Sequence, residues 1–169
     1  MNATMELVLR TAAIGFGATL AMDVWRFGLQ KLFGINSLDL RLLGRWVGHL
    51  SGGRLFHAGI ANSAPVAGEL CLGWSAHYLI GLSFAALLPL LWGIEWLTAP
   101  SILPALSVGI ATVLAPWLVM QPAMGIGFAA GRAPNPNAVR MRNLAIHTVY
   151  GMGLYAAALG IQRLAPLAA

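Results

Sequence analysis

Three stretches of this chain run for twenty or more residues without a charged side chain. Leu70 to Ile94 is closed at its ends by Glu69 and Glu95, Trp96 to Gly131 follows directly, and Asn143 to Gln162 lies between Arg142 and Arg163. A helix that crosses a bilayer needs about 20 mostly apolar residues, because its backbone satisfies itself while its side chains meet hydrocarbon. The stretch from Trp96 to Gly131 is long enough for a helix and a loop. A fourth span is less clean: Thr11 to Met22 is uncharged, and it crosses only if Asp23 and Arg26 enter the membrane zone near its end. The expected fold is all-α, an integral membrane four-helix bundle in one domain over residues 1–169, with helices at about 5–29, 70–94, 101–127 and 143–163.

Composition removes the soluble alternatives. Charged residues make up 9% of the chain, the hydrophobic set 59%, and the mean hydropathy is +0.76. A water-soluble globule of this size needs far more polar surface, and disorder needs low hydrophobicity. The net charge of +5 is spread without a basic run, so no nucleic-acid partner is expected. One cysteine, Cys71, excludes an intrachain disulfide framework and a CxxC metal motif. A signal-peptide reading of the first segment, with cleavage near Thr19 and Ala21, is weakened by the lack of a positively biased amino-terminal region.

Lys and Arg set the expected orientation. Arg26, Lys31, Arg41, Arg45 and Arg54 flank or fill the first linker, and Arg132, Arg140 and Arg142 the second; only Arg10 and Arg163 fall on the other side. Both linkers are therefore expected in the cytoplasm and both termini outside, in a bacterial inner membrane with the lipid bilayer as partner. Trp92 and Trp96 are expected at the outer interface, Trp25 and Trp74 at the inner one. Within linker 32–68, Ser37 can cap a short helix over 38–50. Its apolar side holds Leu42, Leu43, Trp46, Val47 and Leu50, and Arg41, Arg45 and His49 repeat along another, as in a helix lying at the headgroups or docking a partner. Gly131 to Asn137 reads as a tight irregular turn.

A short pattern recurs. His77 precedes Gly81-Leu82-Ser83-Phe84-Ala85-Ala86, and His147 precedes Gly151-Met152-Gly153-Leu154-Tyr155-Ala156; Leu20-Ala21-Met22-Asp23 parallels Leu118-Val119-Met120-Gln121. Two duplicated αα-hairpins are one explanation, and chance among common membrane residues is the other.

Polar groups at membrane depth are costly and usually face the bundle interior. Asp23, His77, Gln121 and His147 fall on four helices, each roughly 7–12 Å from the inner interface at the rise of an α-helix. Each ionisable member lies on a stripe of small or polar residues: Gly15, Thr19 and Asp23; Gly73, His77, Gly81 and Ala85; Asn143, His147 and Gly151. In the third helix Pro116 and Pro122 cannot donate to the carbonyls of Thr112 and Leu118, which frees those groups to bend the helix or face a cavity.

Several functions fit these four residues. They can bind a small polar ligand or relay protons. His77 and His147 can ligate a b-type haem, or with Asp23 a transition metal, and Met120 and Met124 add soft sulfur for Cu(I). Interhelical hydrogen bonds alone, including Asp23 with Arg26, are the structural alternative, as is a silent subunit of a homo-oligomer or larger membrane complex. His49 and His57 read as solvated or interfacial linker residues, Glu69 as a carboxylate suited to a helix start, and Tyr78, Tyr150 and Tyr155 as packing. No nucleophile–base–orienter set and no phosphate-binding Gly loop is visible.

Several short blocks in order resemble a known family. They are Ala21-Met22-Asp23-Val24-Trp25, Gly44-Arg45-Trp46, Phe56-His57, Pro65-Val66-Ala67-Gly68-Glu69, Gly73-Trp74-Ser75-Ala76-His77-Tyr78, Gln121-Pro122, Pro134-Asn135-Pro136, and His147 with Gly151-Met152-Gly153-Leu154-Tyr155. The chain resembles the bacterial domain-of-unknown-function family numbered 2938 from roughly Gly15 to Tyr155. The resemblance implies a small multi-pass inner-membrane protein and supplies no reaction.

Overall fold

The computed structural model describes residues 2–35 and 39–166. Four of its helices are long and apolar enough to cross a membrane: α1 (Ala3–Phe33), α3 (Glu69–Trp92), α4 (Ile102–Ala123) and α5 (Pro136–Leu164). The shorter α2 (Leu40–Leu50) lies in the first linker. Leucines such as Leu79, Leu91, Leu103 and Leu118 stay exposed on the outside of this all-α bundle. Apolar surface on that scale belongs against lipid.

The ends of the helices follow local chemistry. Asn2 caps α1 by accepting from the Met5 amide, and Gly34 ends it in the left-handed region. The α5 helix starts at Pro136, two turns before the uncharged stretch, because Asn135 accepts from the Ala138 amide and proline occupies the first turn. Arg140 and Arg142 are thus helical residues that project beyond the apolar span. Asp39 caps α2 through the Arg41 amide; Ser37 and Leu38, the expected cap and first residue, lie outside the described residues.

Prolines shape the other two spans. Pro89 offers no N–H to the Ala85 carbonyl, and α3 breaks at Ala86. In α4 the Thr112 carbonyl freed by Pro116 is taken up by the Ala115 amide at 3.1 Å rather than presented to a cavity. The chain then widens into a π turn over Pro116–Met120, where the Gln121 amide reaches back to Pro116 O.

Small residues decide which helices touch. In space the spans run α3, α1, α5, α4. A Cβ on Gly15 would meet Ala85 and Leu82, and one on Gly81 would meet Thr19, so α1 and α3 lie backbone to backbone. Gly153 does the same against Ala18, and Gly109 against Gly151. The core between them is Ile14, Ala18, Ala85, Leu88, Ala105, Val108, Tyr150, Leu154 and Ala158. Trp96 belongs to this core, 4% exposed and donating to Ser101 O, so it staples the turn between α3 and α4 and is not an interface marker. Trp92, by contrast, is exposed.

The α2 helix packs antiparallel along the start of α3. Gly44 sits on the Glu69 carbonyl and Gly73 on the Leu40 carbonyl, both too close for any side chain. Arg45 then reaches Glu69 with two hydrogen bonds, 2.8 and 3.0 Å. The rest of the linker is laced to the end of α4: the His57 amide donates to Ala123 O at 2.8 Å and the Ile60 amide to Met124 O at 3.0 Å. Leu40, Leu43, Ile60 and Met124 close a second, smaller core there.

Candidate functional site

The spans α3 and α4 meet chiefly near Leu87–Trp92, at the end away from the linkers. Toward the linkers they part, and a cleft of about 540 Å³ opens between them. Met22 and Arg26 of α1 and Asn143, His147 and Tyr150 of α5 form its back, and Leu40, Leu43 and Trp46 of α2 its linker end. His77, Gln121 and His147 all line it. Three of the four residues singled out by depth therefore come to one place, from three helices.

Asp23 does not line the cleft. It stands behind His77, where its Oδ1 accepts from His77 Nε2 at 3.0 Å and from Arg26 Nη1 at 2.9 Å. Arg26 is the partner foreseen for it, and His77 is a second one. With Nε2–H committed to the carboxylate, a neutral His77 carries its lone pair on Nδ1.

His147 is held from the other side. Thr112 Oγ1 gives its single proton to Gly109 O at 2.7 Å and so accepts from His147 Nδ1 at 3.0 Å. The neutral ring then has its lone pair on Nε2, which has no protein partner among the described residues. Neither Thr112 nor Asn143 stood out as a site residue in the sequence. A β-branched hydroxyl one turn before a helix-bending proline is the only signal that pointed toward Thr112.

Gln121 is 4% exposed. Its Nε2 donates to Asn143 Oδ1 at 2.6 Å in the amide orientation that also lets Asn143 accept from Trp117 Nε1 and donate to Val139 O. Its own carbonyl oxygen is buried without a donor among the described residues. A buried amide oxygen left unpaired costs about 1–3 kcal/mol. Tyr150 closes the end of the cleft away from the linkers by donating to Gly81 O at 2.6 Å, a packing role as expected for that tyrosine.

Metal-binding expectations divide. Among the described residues, no three His, Cys, Asp or Glu side chains converge to hold an ion, so Asp23, His77 and His147 do not make a three-ligand set. Met120 lines the cleft, but Met124 is fully buried in the smaller core and is not beside it.

A second polar cluster lies outside the spans. His57 is 5% exposed, not solvated, and its Nε2 lies 2.7 Å from His49 Nδ1. His49 Nε2 faces Ala64 O at 3.1 Å and must carry a hydrogen there; in the neutral pair its Nδ1 then accepts from His57 Nε2–H. Burial holds His57 below the ordinary imidazole range, with Arg54 and His49 adding to the effect. Glu69 beside it raises Arg45 further above the usual guanidinium range.

Comparison with known proteins adds one finding. No curated protein and no solved structure matches the chain. A family model described as "Protein of unknown function (DUF2938)" matches residues 12–161. With that match over most of its length, the chain belongs to this family of uncharacterised bacterial multi-span inner-membrane proteins.

Proposed function

We propose that the cleft faces the cytoplasm and binds a small polar ligand or passes protons, with His77, Gln121 and His147 as contacts and Asp23 as the positioning carboxylate of His77. The observation that carries this reading is the convergence of His77, Gln121 and His147 on one cleft, where among the described residues the Gln121 oxygen, His77 Nδ1 and His147 Nε2 find no hydrogen-bond partner. Interhelical hydrogen bonding alone would leave no such groups facing a space of this size. The orientation rests on the eight-to-two division of Lys and Arg. The α2 helix then sits at the cytoplasmic headgroups and forms part of the mouth. Contact of α1 with α3 at Thr19 and Gly81, and of α4 with α5 at Gly109 and Gly151, supports two related hairpins.

A thermal-shift screen of water-soluble polar compounds on the purified protein tests the ligand arm. At least one compound is expected to stabilise the wild type, with the shift lost in His147→Ala and Gln121→Ala variants that melt normally without it. Liposomes loaded with a pH-sensitive dye test the proton arm, which requires slower gradient collapse with His77→Gln. A wild type indifferent in both assays ends the proposal.

The second reading is a haem or transition metal shared by His77 and His147, favoured by the same two unpartnered imidazole nitrogens. A Soret band or stoichiometric metal in the purified protein, absent from His147→Ala, would establish it.

A further inference from the structure

The lining of the cleft changes along its depth. Toward the linkers Gln121, Asn143, His77 and His147 line it, with Arg26 and Arg142 beside them and the apolar Leu40, Leu43 and Trp46 at the linker end. Farther from the linkers it is lined by Ile80, Phe84, Ala115 and Val119. Ile80 on α3 is 40% exposed and Val119 on α4 is 57% exposed, and both also line the cleft. These two residues lie inside membrane-crossing helices, so the gap between them opens sideways onto acyl chains rather than onto water. A lateral entrance of this kind admits molecules already dissolved in the bilayer.

The polar end specifies a head group. Gln121 Oε1 is a buried acceptor without a donor. His147 Nε2 and His77 Nδ1 are lone pairs in the neutral tautomers set by Thr112 and Asp23. The imidazole acceptors call for donors, and a hydroxyl on the head supplies them.

We propose that the cleft takes an amphiphile from the bilayer, its hydroxyl-bearing head on Gln121, His147 and His77 and its hydrocarbon along Ile80, Phe84 and Val119. This rests on the ligand-site reading above and narrows the polar ligand to the head of a lipid-soluble molecule. A hydroquinone with an alkyl tail and a glycerol-headed phospholipid share that chemistry.

The test uses the full chain in nanodiscs of phosphatidylcholine, whose head lacks hydroxyl donors. Tryptophan fluorescence reads binding, since Trp46 is part of the lining. The probes are an alkyl hydroquinone under anaerobic conditions, its oxidised quinone, hydroquinone without a tail, and phosphatidylglycerol. Saturable binding of the alkyl hydroquinone or of phosphatidylglycerol is expected, and which one saturates identifies the source. The quinone, which has acceptors only, should bind about tenfold or more weakly than the hydroquinone, as should the tail-less form. Val119→Trp, on an exposed face where the fold tolerates bulk, should weaken binding of the saturating probe by a similar factor. If tail-less hydroquinone binds as well as the alkyl form and Val119→Trp changes nothing, the lipid-soluble ligand is wrong while the polar site stands. If binding of the alkyl probe is untouched by both Gln121→Ala and His147→Ala, both readings fall. No saturation by either amphiphile overturns the amphiphile alone.

Discussion

Single side chains here are set by which hydrogen goes where. His57 illustrates it outside the spans. Its folded pKa is lowered, first by burial and then by Arg54 and His49. A base lowered in the folded state is neutral in both states above the unfolded value of about 6.5. As pH falls from there, the unfolded chain takes up a proton before the folded one does, and stability is lost until pH passes the lowered folded value. Melting of the detergent-solubilised protein should therefore be level above neutral pH and fall below about pH 6.5, with a shallower fall for His57→Gln. An equal pH profile for the two proteins would remove the argument. The sequence could not distinguish this buried imidazole from a solvated one, because its partner, His49, is brought to it by the turn between them. Asp23 is the converse case. Its depth was legible from the uncharged run, but its place behind His77 was not, since no spacing within α1 says where α3 will stand.

At the scale of the helix, contact depends on the absence of side chains. Gly44 of α2 rests on the Glu69 carbonyl of α3. Gly44→Ala places a methyl into backbone, which cannot yield as a side-chain tip would, and should cost about 1–3 kcal/mol or more. Gly28 of α1 has open space around it. Gly28→Ala should be neutral or stabilise by roughly 0.5–1 kcal/mol through helix propensity. Paired thermal melts of the two variants check the contrast, and a Gly44→Ala protein as stable as wild type would mean that α2 is not seated on α3. The four spans were readable from the uncharged runs because lipid permits little else at that length. Their ends were less so: α5 reaches back to Pro136 because a helix continues into water when it is capped, and hydropathy does not register caps. Pro89 and Pro116 were visible in the sequence, but the repair of the Thr112 carbonyl by the next turn was not.

For the molecule as a whole, orientation and lateral access make the decisive predictions. With both linkers in the cytoplasm, alkaline phosphatase fused after the last helix should be active and a fluorescent protein at the same point dark. The reverse result would invert the cleft to the outer face. What the amino-acid order settled alone is the membrane class and the four apolar spans. Each of these follows from transfer of side chains between water and hydrocarbon, a local property that adds up along the chain. What only the tertiary structure decided is that α3 and α4 part toward the linkers, that His77, Gln121 and His147 share the space between them while Asp23 and Met124 do not, and that His49 finds His57. Those outcomes depend on which glycine lets which pair of backbones close, and such pairings join residues whose separation along the chain carries no trace of their contact.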